Sequence, residues 1–187
     1  MPKGYSFSMT EQSRFATIDL SDPIYEVDNI RFLTLKSPVL QGRGDVTIFI
    51  PPDVETAQSL PMVILLHGVY GSHWNWALKG GAHRTALQMI EDKEIPPMVL
   101  VMPSDGLWGD GSGYIAHENT DYSAWIVDDV IDCMITALPQ VDEQSQVFIS
   151  GLSMGGFGAL LLGAKFPSKF SGISAHSSIT HYDHFKI

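Results

Sequence analysis

Cysteine, positive charge and long apolar runs are what this sequence has least of. Its 187 residues include one cysteine, Cys133, so an internal disulfide framework and a thiolate zinc cluster are both excluded. That cysteine falls within an apolar helical pattern, where a thiol is buried and inert. Lys and Arg number 11 against 21 Asp and Glu, a formal net charge of −10, and no two Lys or Arg are adjacent. An acidic surface of this kind repels phosphate backbones and anionic headgroups, which removes nucleic acid and membrane surfaces from the expected partners. No window approaches 18 apolar residues, and residues 1–10 lack the apolar core of a signal peptide, so the chain reads as cytoplasmic.

What is present is apolar sequence spread along the whole length: 44% of residues are hydrophobic and only 17% charged, below the roughly 25% of an average domain. Intrinsic disorder is therefore excluded, and residues 1–187 read as one globular domain. The first 60 residues alternate short β-rich runs with turns, at 14–20, 24–35 and 46–50, which predicts an antiparallel opening. Beyond Pro61 come uninterrupted apolar runs at 62–66, 98–102 and 146–150, the texture of strands buried on both faces of a parallel sheet. Helical patterns separate them, at 83–90 and at 121–138, the second closed by Pro139. Asp128, Asp129 and Asp132 on that second helix read as a solvated face. Strand and helix in alternation predict an α/β fold with a mostly parallel, doubly wound sheet.

The third apolar run leads into Gly151-Leu152-Ser153-Met154-Gly155, followed by a Gly/Ala-rich helical stretch that stops before Pro167. Bare Gly-x-Ser-x-Gly arises by chance in roughly one chain of this length in fifteen, so its position between a buried strand and a helix carries the weight. A serine on so sharp a turn leaves no room for bulky neighbours two residues away, hence Gly151 and Gly155. The turn raises the Ser153 hydroxyl above the sheet edge, with the Met154 N–H aimed where an oxyanion would form. The first apolar run ends in His67-Gly68-Val69-Tyr70-Gly71, whose glycines let the Val69 N–H supply a second oxyanion donor, with His67 bracing the loop.

With these motifs, and with Met102-Pro103-Ser104-Asp105-Gly106 after the second run, the chain resembles the esterase branch of the α/β-hydrolases. That group includes S-formylglutathione hydrolase, tributyrin-type, feruloyl and acetylxylan esterases and the mycolyltransferases. The resemblance spans roughly residues 15 to 178. It implies the α/β-hydrolase fold, Ser153 as nucleophile, the Val69 and Met154 amides as oxyanion hole, and hydrolysis of a small-molecule carboxylic ester or thioester through an acyl-enzyme. Neither a metal nor an organic cofactor is implied.

In that family the triad acid and histidine follow two further strands. Here 170–176 reads as the sixth strand of the family's count, and only eleven residues follow. Two βα units, roughly 60 to 100 residues, are expected to be missing, so the acid and base are expected beyond residue 187. Two other readings stay open: a rewired site using His176, with Asp183 and His184 nearby, or a fold that has lost the chemistry and serves as a binding module. Acyl transfer is the rival enzymatic reading. Stopping after this strand would leave it as an exposed sheet edge and uncover apolar surface around Leu160, Leu161 and Leu162, which predicts self-association. For the substrate pocket the candidate lining is Tyr70, Trp74, Trp108 and Tyr114; the alternatives are that Trp74 and Trp76 both cap the core, and that Trp108 and Tyr114 serve plain packing of the glycine-rich loop or, least favoured, that this loop holds a metal.

Overall fold

A computed structural model describes residues 13–54, 59–107 and 109–180, so Trp108, Asp183 and His184 lie outside the described residues. Seven strands form one sheet: β1 (Ile18–Leu20), β2 (Ile30–Ser37), β3 (Gly42–Phe49), β4 (Met62–Leu66), β5 (Val99–Pro103), β6 (Val147–Leu152) and β7 (Gly172–His176), in the order β1-β2-β3-β5-β4-β6-β7. The antiparallel opening is there, β1 through β3 pairing antiparallel with one another and β3 antiparallel with β5. From β5 onward every pair is parallel. The strand expected from residue 24 begins only at Ile30. Pro23–Tyr25 form a single 3-10 turn capped by the Asp22 carboxylate, and Asp28 and Asn29 then take left-handed backbone, which no continuous strand accommodates.

Helix α1 (Ala82–Glu91) covers one face of the sheet with Ala86 against Phe49, Leu65, Leu100 and Met102. The opposite face carries α4 (Met154–Lys165) and a segment made of α2 (Tyr122–Ala124), a π-helical stretch Trp125–Val130 and α3 (Ile131–Ala137). The Asp121 carboxylate starts this segment by accepting from the amides of Ser123 at 2.9 Å and Ala124 at 3.1 Å. It ends at Leu138, forced into extended backbone by Pro139. Alternation assigns the strand residues: Met62, Ile64 and Leu66 join the core beneath α3 and α4, while Leu65 turns to the α1 side.

Asp129 corrects the reading of an acidic solvated face. Asp128 and Asp132 are half exposed, but Asp129 is fully buried, where it accepts hydrogen bonds from the Ser37 hydroxyl and the Val39 amide and pairs with Arg14. Cys133 is buried, and burial pushes its thiol up to about 12. Strand β7 pairs with β6 alone among the described residues, and Ile173 and Leu160 beside it are 48% and 44% exposed, whereas Leu162 is buried. Among the described residues no helix is long and apolar enough to cross a membrane.

Candidate active site

Parallel strands deliver their C-terminal ends to one edge of the sheet, and there the turn at Ser153 and the loop at 67–71 come together. Strand β6 stops at Leu152 and α4 starts at Met154, leaving Ser153 alone to make the turn with φ 57 and ψ −114. A non-glycine residue in that region costs of order 1–3 kcal/mol and persists only where its surroundings hold it. Here the Ser153 N–H donates to the His176 carbonyl at 2.9 Å, and its carbonyl accepts from the Phe157 amide at 3.0 Å. The flanking glycines are steric necessities. A Cβ on Gly151 would lie 2.1 Å from the Gly155 carbonyl oxygen, and one on Gly155 the same distance from that of Leu66.

The loop after β4 faces the serine. A Cβ built on Gly68 would sit 3.4 Å from Ser153 Cβ and 4.0 Å from its Oγ. Because a planar trans peptide points its C=O and N–H in opposite directions, whatever grips the Gly68 carbonyl also sets the direction of the Val69 N–H. The His67 Nδ1–H donates to that carbonyl at 2.8 Å, and the Gly71 amide joins it at 3.0 Å. The other ring nitrogen, Nε2, accepts from the Asp105 amide at 3.0 Å. These two bonds assign one neutral tautomer. Burial holds His67 below the usual histidine range, so it stays neutral and in place. Neither the Val69 nor the Met154 amide donates to an acceptor among the described residues. A hydroxyl beside two unengaged amides is an arrangement chemically capable of attacking a carbonyl and holding its oxygen.

Asp105, marked in the sequence only as part of the motif after the second apolar run, organises the far side of this loop. The Asp105 carboxylate accepts from the amides of Leu107 at 3.2 Å and Ser112 at 2.6 Å, curling the glycine-rich segment after β5 back on itself. The Asp-x-Leu spacing of such a turn is the only sequence signal for it.

Of the expected pocket residues, Tyr70 is 79% exposed and Trp74 42%, in the loop and turn that follow β4. Tyr114 is a correction. It is 0% exposed, packed where a Cβ on Gly158 of α4 would touch its ring, so it belongs to the support beneath the site. The His176 ring is exposed, 3.5 Å from the Ser174 hydroxyl and edge-on to Trp76; its backbone, not its ring, contacts Ser153. A cavity of about 320 Å³ opens beside Met62 and Val147, at the N-terminal ends of β4 and β6 and away from Ser153.

Residues 37–182 match the family described as "Putative esterase". An acetyl esterase of Caldicellulosiruptor saccharolyticus is 31% identical over 128 residues, 67% of this chain and 44% of that protein. The S-formylglutathione hydrolase of Rattus norvegicus is 31% identical over 152 residues, 75% of this chain and 53% of that enzyme. The chain thus spans about half the length of the curated relatives it matches. Among solved structures a ferulic acid esterase superposes with a TM-score of 0.73 at 24% identity, over 80% of this chain and 58% of that one. Fold, motif geometry and family match agree: the chain belongs to the esterase family and has the α/β-hydrolase fold.

Proposed function

We propose that this chain carries the nucleophile and oxyanion hole of a serine carboxylesterase acting on a small-molecule carboxylic ester or thioester. Ser153 Oγ attacks the carbonyl carbon, and the Val69 and Met154 amides hold the developing oxyanion. As the tetrahedral species collapses, the bond to the leaving alcohol or thiol breaks and an acyl-enzyme remains, which water hydrolyses to the acid. The proton of Ser153 passes to a general base and on to the leaving group. The engagement of the His176 ring with Ser174 and Trp76 favours a base from outside the described residues over His176 itself. Tyr70 and Trp74, exposed beside the oxyanion loop, are the proposed pocket lining among the described residues.

The observation that carries this reading is the backbone of Ser153, a strained non-glycine turn placed with its side chain within reach of the Gly68–Val69 peptide. The test is turnover of a short p-nitrophenyl ester by the full-length protein and by its Ser153→Ala variant. The reading expects a fall of at least about 10³-fold. Equal rates would exclude Ser153 as the nucleophile.

A further inference from the structure

Three successive carbonyls at the end of β4 each accept a hydrogen bond from a side chain. Trp76 Nε1 donates to Leu66 O at 3.0 Å, the Tyr114 hydroxyl donates to His67 O at 3.0 Å, and His67 Nδ1 donates to Gly68 O at 2.8 Å. Strand β5 pairs with β4 only as far as Ile64, so Leu66, His67 and Gly68 run on beyond that neighbour. Each of these carbonyls shares a rigid plane with the following amide, so gripping three in a row fixes three consecutive peptide orientations, the last of which carries the Val69 N–H. We infer that Trp76 and Tyr114 are positioning residues that set the aim of the Val69 amide at Ser153, an inference that rests on the esterase reading above.

Both side chains are built for this. Tyr114 is fully buried, with left-handed backbone (φ 57) and its own amide donating to the Ser112 hydroxyl at 3.2 Å. Its ring is wedged against Gly158 of α4, so the same residue touches the helix that presents Met154 N–H and the strand end that presents Val69 N–H. Burial drives its phenol well above the usual tyrosine range, which keeps the hydroxyl a donor at every working pH. Trp76 reaches the strand end from the π-helical turn Asn75–Lys79, and its indole N–H can only donate. A packing role alone would be served as well by phenylalanine at either position. The hydrogen-bonding hydroxyl and indole N–H, both committed to backbone carbonyls of one strand end, are what the positioning role explains.

The experiment compares the full-length protein with Tyr114→Phe and Trp76→Phe. Ester kinetics give kcat and KM, and 15N relaxation gives the order parameter of the Val69 amide. The inference expects kcat to fall about 10-fold or more with KM within two-fold, and the Val69 order parameter to drop while amides of β2 and β3 keep theirs. A lowered melting temperature with kcat and the Val69 amide unchanged would overturn it, because that is the signature of packing alone. If Tyr114→Phe does not fold, Trp76→Phe decides by the same two readouts. Should Ser153→Ala retain full turnover, the esterase reading fails, and the Val69 order parameter still decides whether these residues hold the loop.

Discussion

Replacing Gly155 by alanine puts one methyl group where there is no space for it. Its Cβ would meet Leu66 O at 2.1 Å, Leu66 C at 2.5 Å and His67 O at 2.6 Å, all backbone atoms that cannot rotate aside. Real Cβ contacts stop near 3.0 Å, so α4 and the end of β4 must separate by about 0.9 Å. Overpacking costs about 1–3 kcal/mol, and a backbone obstacle puts this case near about 3. The better helix propensity of alanine returns at most about 1 kcal/mol, leaving a net loss of about 2. For a chain of this size that lowers Tm by roughly 4–8 °C in a thermal scan. The same displacement shifts the Val69 and Met154 amides, the proposed oxyanion donors, relative to Ser153, so phosphonylation by a fluorophosphonate should slow by about 10²-fold. Gly109→Ala is the control: it meets only Leu107 side-chain atoms at 3.6 Å or more, and its stability should stay within about 0.5 kcal/mol of the parent. A Gly155→Ala protein that melts within a degree of the parent and labels at the same rate would refute the close-packed junction of α4 and β4.

Asp129→Ala removes the acceptor shared by Ser37, Val39 and Arg14 in a fully buried position, and should cost about 3 kcal/mol or more, read as a lower urea midpoint. His67 and His73 are both held below the ordinary histidine value of 6.5, chiefly by burial, so the unfolded chain binds protons more readily than the folded one. Stability should therefore be flat above about pH 7 and fall as pH drops through 6.5, and urea midpoints that rise on acidification would contradict the buried neutral rings. The side of β7 that is unpaired among the described residues, with Ile173 in it and Leu160 of α4 exposed, predicts concentration-dependent association of the 187-residue chain in sedimentation velocity, reduced by Leu160→Lys; a monodisperse parent would count against it.

Legibility in the sequence followed the range of the forces involved. The run 62–66 is β4 residue for residue, and the helix expected over 121–138 is there, because burial on both faces and a proline stop are written locally. The glycines around Ser153 and Gly68 were equally plain, since their constraint is steric and within a few residues. What stayed hidden depends on partners far along the chain. Asp129 is buried because Ser37 and Val39, some 90 residues earlier, meet it, and nothing in its helix distinguishes it from Asp128. Tyr114 looked like a pocket aromatic because its glycine-rich segment lies at the ligand edge of the sheet. Its hydroxyl is spoken for by His67, 47 residues away, and no local pattern reports that. The turn at Asp28 and Asn29 that delays β2 is a backbone choice that the apolar residues around it obscured.

In the proposed reaction the Ser153 oxygen is the attacking atom. Treating the full-length protein with a fluorophosphonate, then digesting it and sequencing the labelled peptide by tandem mass spectrometry, tests that atom directly. The expected outcome is one adduct per chain on Ser153, absent from Ser153→Ala. An adduct on another residue, or ester hydrolysis by a protein whose Ser153 stays unmodified, would contradict it.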